Sequence, residues 1–197
     1  MKQIIIATKN KGKAVEFKEF FNEYDIESFS LLDLKRDIPD VEETGTTFEE
    51  NAALKAEQIV KMLHTPVVAD DSGLIIDALD GRPGVFSARY AGEEKDDQAN
   101  IEKVLDELKS VKDQTRTARF ICVLAIAIPG QETIFKEGYC EGTIAFSQKG
   151  KNGFGYDSIF IPEGYQKTMA QLSSDEKNSI SHRKNAIFQL EEWMQNI

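Results

Sequence analysis

The stretch Arg116 to Ile128 constrains the fold most, because it is continuously apolar from Phe120 onward and is followed at once by Pro129-Gly130. A second strand-like stretch, Glu132 to Phe146, comes directly after this pair. Two such stretches joined by a Pro-Gly turn predict a β-hairpin. A hairpin excludes a purely parallel sheet. Together with helical patterns on both sides of it, it predicts an α/β fold with a mixed, twisted sheet flanked by helices.

The other elements follow from apolar spacing, in which short runs predict strands and intervals of three or four residues predict helices. Further strands are predicted at Ile4 to Ala7, Glu27 to Leu32, Pro66 to Ala69 and Leu74 to Ala78, the last two separated by an Asp-Asp-Ser-Gly turn. Helices are predicted at Gly12 to Tyr24, Phe48 to Leu63, Asp96 to Leu108 and Ser179 to Gln195. A capping box, either Thr46 with Glu49 or Thr47 with Glu50, marks the start of the second helix.

Composition limits the function classes. A chain of 197 residues is long enough to bury its own core, and we expect residues 1–197 to form a single domain. The formal net charge of −10 disfavours a nucleic-acid binder, which needs a basic surface. No stretch approaches the ~20 apolar residues of a membrane span, and no basic-then-apolar leader is present. Cys122 and Cys140 form no C-x-x-C unit, and we expect a cytoplasmic protein.

The segment Thr8 to Lys13 lies where a strand is predicted to pass into a helix. Backbone N–H groups and the positive end of a helix attract phosphate at such a position. Three lysines add positive charge, and Gly12 permits close approach of the backbone. The spacing of a Walker A loop is missing. The segment indicates a phosphate site, although a polar turn with solvated lysines has the same composition.

Asp70 and Asp71 follow an apolar stretch. Consecutive side chains of a strand point to opposite faces, so one carboxylate can face a ligand while the other braces the turn. A carboxylate facing a ligand can bind Mg²⁺ or accept a proton from water. A solvated turn is the alternative. The absence of a D-x-D pattern argues against an aspartyl-phosphate intermediate.

Two further groups lie beside the capping box. Glu42 and Glu43 precede the helix, and either could complete a metal site while the other favours the helix N-terminus. The sequence does not choose between them. Asn51 and Lys55 lie one turn apart on the shoulder of the apolar stripe. A lysine there can serve a ligand or simply extend its ammonium group to water.

A Gly-rich stretch, Gly150 to Gly155, leads into Tyr156 and Asp157 and contains Phe154. An aromatic ring in such a loop can stack on a base, a contact worth ~1–3 kcal/mol. Anchoring of the loop by the ring is the more frequent alternative.

The segment S-H-R, at Ser181 to Arg183, falls in the first turns of the last predicted helix, with Lys177 just upstream. Cations at a helix N-terminus run against the helix dipole, a cost that makes sense if an anion or a carbonyl-rich ligand lies there. An isolated histidine is more often structural, which is the alternative for His182.

The ordered motifs span Ile4 to Arg183. They are A-T-x-N-x-G-K at Ala7 to Lys13, E-E-T-G-x-T-F-x-E-N-A at Glu42 to Ala52, A-D-D-S-G-L at Ala69 to Leu74, P-G-V-F-S-A-R-Y-A-G at Pro83 to Gly92, G-F-G-Y-D at Gly153 to Asp157, and E-K-x-x-I-S-H-R at Glu176 to Arg183. In this combination the chain resembles the inosine triphosphate pyrophosphatases, also called dITP/XTP pyrophosphatases, which remove aberrant purine nucleoside triphosphates. Lys9 departs from the glycine expected in many members.

The resemblance implies two lobes with the active-site cleft between them, a homodimer, and Mg²⁺-dependent cleavage of ITP, dITP and XTP to the nucleoside monophosphate and pyrophosphate. Asp71 would be the proton acceptor and a metal ligand, with Glu42 as the second ligand, and Arg89 a weaker candidate for a phosphate or sugar contact. The residues implied to bind substrate are Thr8, Lys9, Asn10, Lys11, Gly12, Lys13, Lys55, Ser72 and Lys177 around the triphosphate, and Phe154, Gly155, Tyr156, Asp157, His182 and Arg183 around the purine.

Selection of the base follows if Arg183, which the resemblance places at the purine, donates hydrogen bonds to a 6-oxo group. A guanidinium can donate to a 6-oxo group, but it meets the 6-amino group of adenine with no acceptor to offer. Unpaired buried donors are costly, so such a site rejects ATP. Guanine shares the 6-oxo group, and its exclusion must therefore depend on the 2-amino group.

Three other functions are weighed against this one. A pyrophosphatase for modified pyrimidines or guanosine derivatives would be separated by substrate profiling. A module that binds a triphosphate without turnover is disfavoured by Asp71, because a carboxylate beside a metal serves hydrolysis more than binding. An inert acidic scaffold would leave the lysines around Gly12 and the S-H-R segment without a role.

Overall fold

The structure, a computed structural model, describes residues 3–35, 38–110 and 116–195. Its strands are β1 (Gln3–Ile6), β2 (Glu27–Ser30), β3 (Val67–Ile76), β4 (Thr117–Ala127), β5 (Ile134–Ile144) and β6 (Phe160–Pro162). Its helices are α1 (Lys11–Asn22), α2 (Phe48–Leu63), α3 (Asp97–Glu107), α4 (Ser174–Ile180), α5 (His182–Phe188) and α6 (Glu191–Gln195). None of the helices in this described part of the chain is long and apolar enough to cross a membrane.

The strands form one mixed sheet in the order β2-β1-β3-β4-β5-β6. β1 runs parallel to both of its neighbours, with Ile5 opposite Phe29 of β2 and opposite Val67 of β3. β5 and β6 are antiparallel, and Thr143 pairs with Ile161. The predicted α/β class with a mixed sheet flanked by helices is confirmed.

The predicted pairing of the two long stretches is also confirmed, since β4 and β5 are neighbours in the sheet. The chain turns between them at Pro129-Gly130, where the Gln131 N–H donates to the Ile128 carbonyl at 3.1 Å. Gly130 has a φ of 77°, a left-handed conformation that glycine adopts without steric cost.

The chain divides into two compact units, each with its own core. The first unit comprises Met1–Asp71, Cys122–Glu137 and Ala186–Ile197, and the second comprises Ser72–Ile121 and Gly138–Asn185. Large buried side chains of the first core are Ile4, Ile6, Phe17, Phe21, Leu124 and Ile126. Those of the second are Leu74, Ile76, Leu108 and Phe160. A single domain over residues 1–197 and a cleft between two lobes stay predictions.

The capping box of α2 is formed by Thr47 and Glu50. Thr47 Oγ1 accepts from the Glu50 N–H at 3.1 Å, and Glu50 Oε2 accepts from the Thr47 N–H at 3.2 Å. Of the two capping boxes that the sequence allows, this one therefore starts the helix.

β3 corrects one prediction, because it continues without interruption through the segment predicted as an Asp-Asp-Ser-Gly turn. Both aspartates have partners on helices: Lys13 Nζ lies 2.6 Å from Asp70 Oδ2, and Asn51 Nδ2 donates to Asp71 Oδ2 at 3.3 Å. Buried carboxylates are tolerated when they are paired and hydrogen-bonded. The turn was predicted from residue types alone, which do not reveal that both aspartates are paired within a strand.

The prediction of one continuous last helix is also wrong. The chain forms three short helices there, α4, α5 and α6. Ser181 separates the first two, with an extended backbone at φ −68° and ψ 145°. Its Oγ accepts from the Lys184 N–H at 3.1 Å, as the side chain of an N-cap does. Serine thus ends one helix and starts the next where apolar spacing predicts a single helix.

Candidate active site

The predicted phosphate loop shapes the start of α1. Asn10 Oδ1 accepts from the Lys13 N–H at 3.1 Å, and the Asn10 N–H donates to Thr8 Oγ1 at 3.1 Å. A Cβ on Gly12 would lie 3.3 Å from Asn10 Oδ1, so glycine keeps this turn uncrowded. Lys11 is exposed, and the first turn of α1 contains no acidic side chain. The positive end of α1 is therefore well suited to an anion.

Two lysines of this loop form ion pairs of different character. Lys13 Nζ lies 2.6 Å from Asp70 Oδ2, and the Asp70 side chain is only 3% exposed. Lys9 Nζ lies 2.8 Å from Asp40 Oδ1 in a pair that is exposed to solvent. Exposed pairs contribute little to stability. The Asp70 pair, by contrast, holds the Lys13 ammonium group in a defined position.

Asp71 contacts α2 from β3. Its Oδ2 accepts from Asn51 Nδ2 at 3.3 Å, and its Oδ1 lies 3.7 Å from Lys55 Nζ. Asp70, the preceding residue, pairs with Lys13 of α1 instead. The two carboxylates thus serve different helices, as the alternation of side chains along a strand requires.

The Lys55 ammonium group also donates to Glu43 Oε1 at 2.8 Å. Of the two glutamates between which the sequence does not choose, Glu43 is therefore the one beside Lys55, while Glu42 is exposed. The role of Glu42 as a metal ligand stays a prediction.

The carboxylates of Asp71 and Glu43, on either side of the Lys55 ammonium group, are of a chemical type that can bind Mg²⁺. No group of three or more His, Cys, Asp or Glu side chains that could hold a metal lies within residues 3–35, 38–110 and 116–195. Mg²⁺ in nucleotide sites is bound through one or two carboxylates together with substrate phosphates and water. Asp71 and Glu43, which both lie beside Lys55, offer two carboxylates for such a complex.

The protonation of Asp71 is set mainly by burial, which raises the pKa of its carboxyl above the ordinary value. Lys55 and Lys13 oppose this rise without cancelling it. Burial lowers the pKa of Lys55, but the neighbouring carboxylates of Asp71, Asp70 and Glu43 outweigh burial and raise it. Lys55 therefore remains a cation, and Asp71 is a stronger base than an exposed aspartate.

The Gly-rich loop of the second unit exposes one aromatic ring and buries another. Phe154 is 48% exposed, whereas Tyr156 is 6% exposed. The Tyr156 hydroxyl donates to the Ser87 carbonyl at 2.8 Å. Phe154 is therefore the ring that a base can reach, and Tyr156 anchors the loop from inside the unit.

Asp157 holds Phe154 in position. Its Oδ2 accepts from the Phe154 N–H at 3.0 Å and from Lys177 Nζ at 2.6 Å. Lys177 Nζ lies 4.8 Å from the centre of the Phe154 ring. The Gly155 N–H donates to Asp97 Oδ2 at 2.9 Å. Bonds from two helices thus keep this loop in one conformation.

The S-H-R segment begins α5, so its predicted place in the first turn of a helix is confirmed, although that helix is short. The ring of His182 stacks on Phe120, with centroids 5.0 Å apart and planes at 20°. Arg183 is buried, at 3% exposure. A buried guanidinium is a rigid donor that can discriminate between ligands.

The predicted site residues therefore fall into two groups, one in each unit. The first unit contains Thr8, Lys9, Asn10, Lys11, Gly12, Lys13, Glu42, Lys55 and Asp71, and the second contains Ser72, Arg89, Phe154, Gly155, Tyr156, Asp157, Lys177, His182 and Arg183. Ser72 follows Asp71 in β3 and is half-buried. The guanidinium carbon of Arg89 lies 5.3 Å from the centre of the Phe86 ring.

Some supporting residues escape a sequence search. Asn51 carries one signal, its place one turn before Lys55 on the shoulder of the α2 stripe. Ser87 and Asp97 contact the Gly-rich loop from distant positions in the chain. Ser87 lies within the motif at Pro83 to Gly92, but no local pattern marks Asp97. Such contacts depend on how the chain folds back on itself.

Comparison with known proteins is more specific than the mixed α/β fold and the cluster of carboxylates and lysines in the first unit. The sequence model of the Ham1 family matches residues 4–193. The chain therefore belongs to the Ham1 family.

Relatives of known name agree over the full length. The dITP/XTP pyrophosphatase of Oceanobacillus iheyensis is 70% identical over 197 residues, which cover 100% of both chains. The solved structure of the Ham1 protein of Staphylococcus aureus has a TM-score of 0.90 at 49% identity, covering 99% of each chain. That of a HAM1 protein from Coxiella burnetii has a TM-score of 0.92 at 42% identity, covering 100% of each chain. The resemblance stated from the motifs is confirmed.

Proposed function

We propose that this protein is a nucleoside triphosphate pyrophosphatase that hydrolyses the aberrant purine nucleotides ITP, dITP and XTP to the nucleoside monophosphate and pyrophosphate. The observation that carries the proposal is the buried Asp71 carboxylate, bonded to Asn51 and 3.7 Å from the Lys55 ammonium group. Membership of the Ham1 family and the name of the O. iheyensis relative, dITP/XTP pyrophosphatase, support the substrate class.

The triphosphate binds at the start of α1 and beside α2. The N–H groups of the first turn of α1 and the ammonium group of the exposed Lys11 supply the donors there. Lys13 and Lys55, each held by a carboxylate, add charge where it builds up on the phosphorus oxygens. Fixed cations of this kind need little reorganisation during the reaction, which is the reason they accelerate it.

Asp71 accepts a proton from the attacking water. The water oxygen forms a bond to the α-phosphorus, the bond from that phosphorus to the oxygen bridging the α- and β-phosphates breaks, and pyrophosphate leaves with the electron pair. The raised pKa of Asp71 makes its carboxylate a better base for this step. Positioned general bases contribute roughly 10²–10⁴-fold to rate.

Asp71 together with Glu42 or Glu43 would hold Mg²⁺. When bound, the ion neutralises charge on the phosphate oxygens and orients them. The carboxylate chemistry of this cluster supports the assignment, and Lys55 lies between Glu43 and Asp71 to limit their mutual repulsion.

The purine binds at the loop of the second unit. Phe154 stacks on the base, because its ring is exposed while its backbone is held by Asp157. Arg183 donates to the 6-oxo group of hypoxanthine or xanthine, and His182 contributes to the same pocket from the first turn of α5. ATP is rejected because adenine leaves the donors of Arg183 unpaired.

We propose in addition that the protein acts in the cytoplasm as a homodimer, as the family resemblance implies. Light scattering on the purified protein tests the homodimer, and a measured mass equal to that of a single chain contradicts it.

The proposed reaction is tested by incubating the pure protein with Mg²⁺ and, separately, ITP, dITP, XTP, ATP and GTP, followed by chromatography of the products. Monophosphate and pyrophosphate from the first three, with ATP and GTP largely spared, are expected. Release of single phosphates contradicts the cleavage position. Tight binding without turnover under several divalent ions identifies a binding module instead.

A further inference from the structure

Asn51 joins the loop that carries Glu42 and Glu43 to the Asp71 carboxylate. Its side chain is fully buried, at 0% exposure. Asn51 Oδ1 accepts from the Gly45 N–H at 2.8 Å, and Asn51 Nδ2 donates to Asp71 Oδ2 at 3.3 Å. A single amide group therefore contacts both the loop that follows Glu43 and the Asp71 carboxylate.

The bond to Gly45 determines which end of the amide faces Asp71. Because the Gly45 N–H can only donate, it requires an oxygen, and the NH₂ group of Asn51 is then directed at Asp71. The approach is tight: a Cβ on Gly45 would lie 2.7 Å from Asn51 Oδ1. The amide cannot rotate without losing a hydrogen bond in a buried place, which is costly.

The NH₂ group of Asn51 needs an acceptor, and an Asp71 oxygen is the acceptor it has. One Asp71 oxygen is therefore taken by Asn51, while the other faces Lys55 at 3.7 Å. This fixes the rotation of the carboxylate about its own axis. A general base works only when its oxygen is oriented toward the proton that it accepts.

We propose that Asn51 is the positioning residue for Asp71, an assignment that rests on the proposed function. Asn51 does not touch the reacting atoms. It acts by orienting the carboxylate, and through Gly45 it places the glutamate loop relative to that carboxylate. Residues that orient a metal-ligating side chain are typically worth 10–100-fold in metal affinity or activity, and Asp71 is proposed as such a ligand.

The structure offers a matched control in Asn100, another buried helical asparagine. Asn100 Oδ1 accepts from the Ala91 N–H at 2.6 Å, and its Nδ2 donates to the Ala88 carbonyl at 3.1 Å. Asn→Asp keeps the accepting oxygen at both sites and replaces the donating nitrogen by oxygen. The two variants therefore make the same chemical change. The replaced nitrogen faces the Asp71 carboxylate in Asn51→Asp and the Ala88 backbone carbonyl in Asn100→Asp.

We would measure kcat and KM for ITP hydrolysis in the wild type, Asn51→Asp and Asn100→Asp. Thermal unfolding and calorimetric binding of a non-hydrolysable α,β-methylene analogue of ITP complete the set. Asn51→Asp is expected to lower kcat by roughly 10–100-fold. We expect KM and the analogue Kd of this variant to stay within about threefold of the wild type. Asn100→Asp is expected to lower Tm while kcat stays within about twofold of the wild type.

Asn51→Ala accompanies these variants, because it removes the donor without adding a charge beside Asp71. A folded Asn51 variant with wild-type kcat overturns the assignment. The assignment is also overturned if Asn51→Asp and Asn100→Asp lose kcat in the same proportion to their loss of Tm, because the effect would then be one of stability alone. Wild-type protein that binds the analogue but releases no pyrophosphate from ITP contradicts the proposed function itself. The wild-type assay separates this outcome from the other two.

Discussion

Lys55 Nζ lies 3.7 Å from Asp71 Oδ1, a separation at which the charges attract strongly although no direct hydrogen bond is formed. The same ammonium group is bonded to Glu43 at 2.8 Å. Lys55 is thus held by the glutamate while its charge acts on the aspartate. The Lys55 charge opposes the rise in the Asp71 pKa that burial causes, without cancelling it.

Asp71→Asn is expected to lose nearly all turnover while the protein remains folded. The amide has nearly the same shape as the carboxylate but cannot accept the proton, so kcat should fall by roughly 10²–10⁴-fold. Steady-state hydrolysis of ITP and far-UV circular dichroism check the two halves of this prediction. Asp77→Asn, at an exposed position just beyond the end of β3, is the control. Near-normal activity of Asp71→Asn removes Asp71 from the mechanism.

Arg183→Ala is expected to erode discrimination against ATP. An unpaired buried donor costs about 1–3 kcal/mol, so removing it should lower the ITP-to-ATP ratio of kcat/KM by roughly 5–100-fold. Parallel assays with both nucleotides measure the ratio. Arg119→Ala, which removes a partly exposed arginine paired with Asp77 and Glu141, serves as the control. A ratio that is equal in wild type and Arg183→Ala refutes the assignment.

Tyr156→Phe is expected to weaken nucleotide binding more than catalysis. The variant loses the hydrogen bond to the Ser87 carbonyl, worth about 0.5–1.5 kcal/mol, and with it part of the support of the loop carrying Phe154. KM for ITP should rise roughly 2–10-fold while kcat changes less. In Tyr90→Phe, which loses a comparable bond to Glu107, KM should be unchanged. Equal effects of the two variants on KM contradict a role for Tyr156 in the loop.

Asp33 is expected to support acid stability. Its hydrogen bond with Lys18, followed by those from Ser30, lowers the pKa of the carboxyl from 3.8 to about 2. Because the folded-state pKa lies below the unfolded value, the stabilisation is complete above the unfolded pKa and is lost as pH falls toward 2. Between about pH 4 and pH 2 the Tm of wild type should therefore fall more steeply than that of Asp33→Asn.

Thermal unfolding at a series of pH values measures this difference in slope. Asp175→Asn, at another exposed aspartate, should follow the wild-type slope. Parallel slopes for wild type and Asp33→Asn show that the Lys18–Asp33 pair does not contribute.

Much of the fold could be predicted because local signals agree with the final structure. A capping box at Thr46 or Thr47 marked the start of α2, although only the structure decided for Thr47 with Glu50. The Pro129-Gly130 turn marked the connection between β4 and β5. Both depend on residues within a few positions of one another. Where local and tertiary preferences diverge, as in β3 and at Ser181, the predictions were wrong.

The sequence by itself determined which residue types are present for chemistry and in what order, including the aspartate pair, the lysine-rich loop and the S-H-R segment. Tertiary structure alone decided that Asp70 pairs with Lys13 and that Asp71 is hydrogen-bonded to Asn51. It also decided that Phe154 is exposed and Tyr156 is buried. The reason is physical. Hydrogen bonds and ion pairs form between groups brought within about 3 Å of each other, and that proximity depends on packing far along the chain.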